Sequence, residues 1–419
     1  MRLLNTSTLE FKDFFKPPPY AILSHRWGDD EVSFNDYESG NNRDGPGYQK
    51  IISCCAFAQS RGREWVWIDT CCIDKRSSAE LSEAINSMWE WYGKAEECYA
   101  HLSDVSSMAR ERPLHTDSGT SSAWFTRGWT LQELLAPRKV IFCNSDWSVI
   151  GQKGDPAILT EISKITAIPP RCLSSHFSLS NASVAQKFSW AARRVTTRPE
   201  DIAYCLLGLM GVNMPLLYGE GAKAFLRLQQ EIIRQSDDES IFAWHRPDGP
   251  IGQVSGILAP SVEHFAHSSD ISVIGGPRQP YAITNKGLDI TVSSHKVSDT
   301  MHIIPLNCQY GRDRQSSKRC AIVVREDHSL WSRIHVNNLG VPIGRAFSTF
   351  DTEDLVEHRF LIRLSRWQNE YGPAIAVITD FLRRTRGKAF EHLAEQLRSS
   401  SSTPPDTAER DLTLTGSMR

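Results

Sequence analysis

The chain has 419 residues, of which 40% are hydrophobic, so it is long enough for two or three domains with ordinary buried cores. Its 47 basic and 49 acidic residues leave a net charge of −2. Because general binding to nucleic acid or to anionic membranes requires a basic surplus, the composition argues against both classes of partner.

The N-terminal residues give no sign of export. The segment Met1–Thr6 becomes polar before an apolar signal-peptide core can form. No apolar run in the sequence approaches the roughly 20 residues that a membrane-spanning helix needs. We therefore expect a cytoplasmic protein without a membrane span.

The ten cysteines lack the spacing of a metal site. Cys54-Cys55 and Cys71-Cys72 are adjacent pairs and the others are scattered, so no zinc-type pattern appears. We expect buried, reduced thiols and no metal.

The first third of the chain alternates short apolar runs with helical patterns. Four strands are predicted, at Tyr20–Leu23, Trp65–Ile68, Cys98–Leu102 and Val140–Cys143. Helical spacing of apolar residues predicts helices over Tyr48–Gln59, from Ser77 to about Tyr92, and over Leu131–Leu135.

Three of these helix ends carry sequence signals. Gly62 is placed to end the first helix, and Pro137 to end the third. Ser77 and Glu80 have the spacing of a capping box, in which each side chain accepts a hydrogen bond from the backbone N–H of the other residue.

Strands that alternate with helices predict an α/β fold, with a parallel sheet and helices on both faces. Ligands bind in such folds at the carboxyl ends of the strands. Those ends carry Ser24–Gly28, Asp69 and Asp104.

The rest of the chain changes character twice. Residues 148–245 have mainly helical patterns, including Ala203–Met210 and a helix that ends near Gln235. From Gly249 the apolar runs are short and of β type, and Phe381–Leu397 is a last predicted helix. We predict a first domain over 1–150, a helical segment packed on it over 151–245, a β-rich domain over 249–395 and a disordered tail over 398–419.

Three blocks of the first domain identify a family. Tyr20–Gly28 (YAILSHRWG), Val66–Asp74 (VWIDTCCID) and Arg127–Leu135 (RGWTLQELL) resemble, in order and spacing, the fungal heterokaryon-incompatibility (HET) domain. The stretch from Ser189 to Gly221 resembles the segment that follows this domain in many filamentous fungi. Membership implies a role in fungal nonself recognition and programmed cell death.

The HET domain is similar to Toll/interleukin-receptor (TIR) domains, which have a flavodoxin-like fold. Plant TIR domains have a first strand that ends in Ser-Phe-Arg-Gly, which Ser24–Gly28 resembles with a Trp before the Gly. They also carry Trp-Cys-x-x-Glu-Leu on a helix, which Trp129–Leu134 resembles with Thr for Cys. In several TIR enzymes this Glu cleaves the nicotinamide–ribose bond of NAD⁺. The resemblance therefore nominates Glu133 as a catalytic residue, with NAD as the substrate and no required cofactor.

The chemistry of that bond assigns roles to other residues. Cleavage leaves a cationic, oxocarbenium-like ribose that one carboxylate can stabilise. Trp129 lies one turn before Glu133 and would stack on a flat ring. The remaining predicted binding residues are Ser24 and Arg26 for the diphosphate, Asp69 for a ribose hydroxyl, and their neighbours His25 and Trp27.

Each of these residues also has a structural interpretation. Glu133 is equally typical of a solvated helix residue or a salt-bridge partner, and Trp129 of a core residue. His25 fits a strand end where it satisfies the backbone, Arg26 fits a pair with Asp29 or Asp30, and Asp69 fits a cap of the next turn. Trp65 and Trp67 are expected to pack in the core.

Other chemistries lack their sequence motifs. The chain has no GxxxxGK[ST] phosphate loop, no GxGxxG after the first strand, and neither GxSxG nor HExxH.

Self-association is expected, because loops from two TIR-like domains can complete one site. A protein partner in incompatibility is expected as well. The alternative function is a non-catalytic HET module that recruits death-signalling partners through its surface.

Overall fold

The computed structural model describes residues 1–107, 113–246, 254–276, 279–311, 318–327, 329–334, 356–364 and 367–368. A first sheet contains seven strands, in the order β2-β1-β4-β3-β5-β6-β7. They are β1 (Arg2–Asn5), β2 (Phe11–Asp13), β3 (Ala21–His25), β4 (Trp65–Trp67), β5 (Glu97–His101), β6 (Val140–Cys143) and β7 (Val149–Gln152).

The four predicted strands form the parallel centre of this sheet. β3 lies between β4 and β5, and β5 pairs with β6, all in parallel. Every residue of β3, β5 and β6 is buried. Burial on both faces explains why these strands appear in the sequence as unbroken apolar runs.

The predicted parallel sheet is extended at both edges by antiparallel strands that were not predicted. β1 pairs antiparallel with β2 and with β4, and β7 pairs antiparallel with β6. Residues 6–10 connect β1 to β2, and residues 144–148 connect β6 to β7. Such short links cannot make the crossover that a parallel pair requires. The first sheet is therefore mixed.

Four helices accompany the first sheet. Among them, α2 has its apolar positions Ile51, Cys55 and Ala58 buried, and Gly62 follows its end with φ of 74°, as predicted. Their bounds are α1 (Phe34–Ser39), α2 (Pro46–Ser60), α3 (Ser78–Lys94) and α4 (Thr130–Leu135).

The predicted capping box at the start of α3 is only half formed. The Ser77 hydroxyl accepts a hydrogen bond from the Glu80 N–H at 3.2 Å. The Glu80 carboxylate does not return the bond to Ser77. It accepts instead from the Asp74 N–H and from the Arg2 guanidinium, both at 2.8 Å, because the N-terminal strand brings Arg2 over this helix start.

Seven short helices follow the first sheet. The predicted Ala203–Met210 helix is divided in two, because the Leu206 N–H bonds to the Ala203 carbonyl three residues back and tightens the chain there. The helices are α5 (Pro156–Thr166), α6 (Pro170–Ser174), α7 (His176–Ser180), α8 (Val184–Ala191), α9 (Asp201–Tyr204), α10 (Leu207–Met210) and α11 (Lys223–Gln235).

A second, β-rich sheet of nine strands confirms the predicted change in character. Its pairs are antiparallel except for one between β14 and β15. The strands are β8 (Val254–Ser255), β9 (Ile271–Val273), β10 (Ala282–Thr284), β11 (Gly287–Ser298), β12 (Met301–Tyr310), β13 (Lys318–Asp327), β14 (Leu330–Ile334), β15 (Val356–Ile362) and β16 (Trp367–Gln368). Single 3₁₀ turns lie at Ala123–Thr126, Glu239–Phe242 and Val262–Phe265.

Several sequence predictions concern the whole chain. All ten cysteines are buried and free, as expected. Within the described residues, no helix is long and apolar enough to cross a membrane. The Phe381–Leu397 helix and the 398–419 tail lie outside the described residues, and the domain boundaries stay predictions.

Candidate functional site

Segments far apart in the chain meet at one edge of the first sheet. His25 ends β3 and Asp69 follows β4, and the carboxyl ends of these parallel strands lie together. A cavity of about 300 Å³ opens here, which we call the Glu133 cavity. Five predicted site residues line it, namely His25, Trp27, Asp69, Trp129 and Glu133.

Glu133 lies on α4 and is only 6% exposed. Its carboxylate accepts a hydrogen bond from the Ser24 hydroxyl at 2.5 Å, and the same hydroxyl accepts from the Trp124 indole N–H at 2.9 Å. The interpretation of Glu133 as a solvated helix residue is therefore wrong. Ser24 does not line the cavity, and it contacts the carboxylate from the protein side.

Burial governs the electrostatics of Glu133. Loss of solvation, reinforced by the negative charge of Asp69, raises the pKa of Glu133 to about 8. The Ser24 hydrogen bond and the charges of Arg194 and Arg127 act in the opposite direction. The buried Tyr92 hydroxyl, which donates to the Leu23 carbonyl at 2.8 Å, has a pKa far above its usual range because of burial and of this nearby carboxylate. The empty site thus disfavours the ionised form of Glu133.

His25 lies between two carboxylates. Its Nδ1 is 3.7 Å from Asp69 and its Nε2 is 3.6 Å from Glu31, and neither nitrogen has a closer hydrogen-bond partner. Lys50 donates to Glu31 at 2.6 Å. Burial alone would raise the pKa of Glu31, but contacts with His25 and Lys50 lower it to about 2. The interpretation of His25 as a backbone partner is wrong.

Trp27 and Asp69 form one wall of the Glu133 cavity. The Trp27 indole N–H donates to the Asp69 carboxylate at 2.8 Å, and the ammonium of Lys75 lies 3.7 Å from the Trp27 ring centroid. Burial lowers the pKa of Lys75. Asp69 therefore orients Trp27, which remains 45% exposed. Lys75 was not predicted from the sequence, although it follows the second family block by one position.

Trp129 immediately precedes α4 and lies half-buried in the cavity wall one turn before Glu133, as predicted. It hydrogen-bonds to the carboxylate of Asp201, which also accepts from the Tyr218 hydroxyl at 3.0 Å. Burial raises the pKa of Asp201 despite these bonds. Asp201 and Tyr218 line the same cavity and come from the helical segment.

Two predicted polar residues lie elsewhere. Arg26 is exposed and does not line the Glu133 cavity, and no ion pair joins it to Asp29 or Asp30. Asp104 accepts hydrogen bonds from the Ser122 hydroxyl and the Ala123 N–H, at 2.6 and 2.7 Å, and so caps the following 3₁₀ turn.

The helical segment holds the start of α4 in place. The buried Arg194 guanidinium donates to the Arg127 carbonyl at 2.9 Å and to the Thr130 hydroxyl at 3.0 Å. Gly128 donates its N–H to the Val195 carbonyl, and a Cβ on Gly128 would lie 2.5 Å from the Thr196 side chain. Sequence analysis missed these contacts, because no local pattern reveals a pairing across more than sixty residues.

The site offers no visible metal centre. Within the described residues, no group of three or more His, Cys, Asp or Glu side chains is arranged to hold a metal ion. The Glu133 cavity instead combines the carboxylates of Glu133, Asp69 and Asp201 with aromatic rings and the guanidinium groups of Arg127 and Arg198. Such a lining suits an organic ligand with a flat ring and groups of both charges.

Comparison with known proteins agrees with the motifs. Residues 20–118 match the family described as heterokaryon incompatibility protein (HET), and residues 223–255 match a domain of unknown function, DUF8212. The chain is 46% identical over 223 residues to the vegetative incompatibility protein HET-E-1 of Podospora anserina. That match covers 52% of this chain and 16% of the relative. No solved structure matches the chain.

These matches confirm the resemblance to the HET family over residues 20–118, which contain the first two of the three sequence blocks. The matched HET region includes Ser24, His25, Trp27 and Asp69, whereas Glu133 and Trp129 follow it. The Glu133 cavity therefore extends beyond the residues that the family model matches.

Proposed function

We propose that this protein acts in fungal nonself recognition by hydrolysing NAD⁺ in the Glu133 cavity, and that this activity triggers incompatibility and cell death. The name of the Podospora relative supports the biological role. The observation that carries the chemical role is a buried carboxylate, oriented by Ser24, that faces a cavity rich in aromatic rings.

The proposed reaction breaks the bond between C1′ of the ribose and the nicotinamide nitrogen. The bonding electrons leave with nicotinamide, whose ring becomes neutral, and C1′ becomes electron-poor. Water then adds its oxygen to C1′ and releases one proton, so that the products are nicotinamide and ADP-ribose. The Glu133 carboxylate would stabilise the positive charge on the ribose in the transition state.

The raised pKa of Glu133 suits a cationic substrate. In the empty cavity the carboxylate is mostly protonated at pH 7, because its pKa is about 8. A nicotinamide cation near Glu133 would favour the ionised form, so that substrate binding would itself release the proton. The enzyme would then acquire its charged residue only when the substrate is present.

Other residues of the Glu133 cavity have supporting roles in this proposal. Trp129 would stack on a flat ring of the ligand, and Asp69 would accept a hydrogen bond from a ribose hydroxyl. Trp27 and His25 would hold Asp69 in position, since both contact it in the empty site.

A TIR-like fold is part of the same proposal. Along the sheet, the four parallel strands follow the order second, first, third and fourth in the chain, which is the order at these positions in flavodoxin-like folds. Self-association of this domain in the cytoplasm would bring two sites together. Light scattering across a range of concentrations measures that step.

The test uses the purified full-length chain. Wild-type protein should release nicotinamide from NAD⁺, measured by chromatography, and Glu133→Gln should abolish the release while it preserves the shape of the side chain. Glu90→Gln, on the exposed face of α3, is the matched control. Equal release by Glu133→Gln and wild type would overturn the assignment.

The non-catalytic alternative makes a different prediction. If the protein only recruits partners, cell death on expression in a fungal host would survive Glu133→Gln. It would fail instead in variants of exposed surface residues. Measuring death and nicotinamide release in the same variants separates the two functions.

A further inference from the structure

Two guanidinium groups of the Glu133 cavity, those of Arg127 and Arg198, form no close ion pair in the part of the chain that the structure describes. Arg127 donates to the Thr197 hydroxyl at 3.2 Å, and Arg198 lies 4.5 Å from the centroid of the Tyr218 ring. Neither forms an ion pair with a carboxylate in the described part of the chain. Both line the cavity, where their close contacts are with neutral groups and the carboxylates of Glu133, Glu200 and Asp201 act on them only at longer range.

The third cation of the cavity is already engaged. The Lys75 ammonium lies against the Trp27 ring and is attracted by the Asp69 carboxylate. The Lys75 ammonium therefore already has a ring and a carboxylate as partners in the empty site. Arg127 and Arg198, with their planar groups and several free N–H donors, remain available to an anion.

The two arginines come from neighbouring segments of the chain. Both come from the chain around the start of α4 and the loop before α9, which pair through the Arg127–Val195 bridge. Arg127 is near enough to Glu133 for its charge to act on that carboxylate, whereas Arg198 lies with Tyr218 in the helical segment. Both guanidinium groups therefore lie in the part of the Glu133 cavity that the start of α4 and the helical segment contribute.

We propose that Arg127 and Arg198 together bind the phosphate groups of the ligand that occupies the Glu133 cavity. This inference rests on the proposed function for the identity of the ligand as a dinucleotide. Arg26, which the sequence predicts to bind the diphosphate, is exposed outside the cavity, whereas Arg127 and Arg198 line it. The diphosphate is therefore assigned to these two residues instead. This assignment also makes the helical segment part of the binding site, since Arg198 belongs to that segment.

The consequence is that the matched HET region holds only part of the site. Residues 20–118 supply Asp69 and the end of β3, but both phosphate-binding arginines follow that region. A ligand without phosphate groups, such as nicotinamide riboside, would gain nothing from the two arginines and bind more weakly.

The test measures binding of ADP to the full-length chain by calorimetry, because ADP has the phosphates and lacks the nicotinamide ribose. ADP should bind, and adenosine should bind far more weakly. Arg127→Ala and Arg198→Ala should each weaken ADP binding by about 10- to 100-fold, the range expected when hydrogen bonds to a charged group are lost. Arg198→Lys, which keeps the charge, should retain part of the affinity.

Arg138→Ala is the matched control, because Arg138 is exposed and outside the cavity, and it should bind ADP like the wild type. Circular dichroism checks that each variant is folded. Unchanged ADP binding in folded Arg127→Ala and Arg198→Ala would overturn the inference, as would loss of binding in Arg26→Ala alone or equal binding of ADP and adenosine. ADP binding does not require Glu133 chemistry, so failure of NAD⁺ hydrolysis and failure of this inference are separate results.

Discussion

The Glu133 carboxylate accepts a hydrogen bond of 2.5 Å from the hydroxyl of Ser24, which is 109 residues earlier in the chain. A serine hydroxyl has one proton, and the Trp124 indole N–H already donates to its oxygen at 2.9 Å. The Ser24 hydroxyl thus accepts from Trp124 and donates to Glu133. The hydrogen bond from Ser24 opposes the effect of burial on the pKa of Glu133, because a donor to a carboxylate favours the ionised form.

Ser24→Ala should raise the pKa of Glu133 further above its value of about 8, because the donor to its ionised form is lost. Measurement of the Glu133 carboxyl carbon by NMR as a function of pH would give this shift. The variant should also lose about 1–3 kcal/mol of stability, since the Trp124 N–H loses its acceptor. Ser180→Ala, which removes an exposed hydroxyl, is the control. A lower pKa in Ser24→Ala would contradict the prediction.

Glu133 should make the protein less stable as pH rises. Its pKa is about 8 in the folded state against a reference value of 4.5, so the folded state binds the proton more tightly than the unfolded state. The stabilisation that the protonated Glu133 carboxyl provides is present in full below pH 4.5, declines between pH 4.5 and 8, and is lost above pH 8. The steepest slope is about 1.4 kcal/mol per pH unit.

Urea unfolding of wild type and Glu133→Gln at several pH values measures that effect. The wild type should lose stability relative to Glu133→Gln from pH 5 to pH 8. Comparison with this variant cancels the buried His101 and His264, whose pKa values burial lowers to about 4, because their contribution has the opposite sign and is common to both proteins. A constant difference between the two proteins would show that Glu133 is ionised throughout.

The parallel centre of the fold was predictable from local sequence. A strand buried on both faces, such as β3, needs an unbroken apolar run, and the polar residues that follow it must lie at the edge of the sheet. That reasoning placed His25 and Asp69 at one site. The family resemblance added Glu133, because the apolar spacing around it predicts a short helix but no role for the carboxylate.

The part of the Glu133 cavity that the helical segment contributes was not predictable in this way. Arg198 and Tyr218 lie in short turns and loops of the helical segment, and their position depends on long-range packing such as the contacts of Arg194 with the start of α4. The edge strands were missed for a related reason. β2 is mostly exposed, so its residues show no apolar run.

Glu97 should be a major source of stability for the first sheet. Its buried carboxylate accepts from Arg61 at 2.7 and 2.8 Å, from Lys139 at 2.6 Å and from the Tyr99 hydroxyl at 3.0 Å. Burial alone would raise the pKa of Glu97, but these partners lower it to about 2. Its stabilising effect is therefore present above pH 4.5 and is lost as pH falls towards 2.

Glu97→Gln should lower the free energy of unfolding by about 1–3 kcal/mol at pH 7, because the hydrogen bonds from Arg61 and Lys139 lose their charged acceptor while solvent screens these partly exposed cations. Urea denaturation measures the loss. Glu90→Gln, which breaks an exposed pair with Lys94, should cost at most about 1 kcal/mol. Similar losses in the two variants would mean that the Glu97 cluster is no stronger than a surface ion pair.

Gly208 should tolerate no side chain, because α10 packs directly on α3 there. A Cβ on Gly208 would lie 2.0 Å from the Cβ of Trp89, and no side-chain rotation can move that atom. Replacing a helical glycine by alanine normally stabilises a helix by about 0.5–1 kcal/mol. In Gly208→Ala the two helices must separate, so we expect a net loss of about 1–3 kcal/mol in the free energy of unfolding, measured in urea.

Gly93→Ala is the matched control on α3. A Cβ on Gly93 would lie 3.6 Å from its nearest neighbour, the Ala136 carbonyl oxygen, which is an ordinary contact, so this variant should be neutral or stabilising. If Gly208→Ala is as stable as Gly93→Ala, the close packing of the helical segment on α3 is wrong.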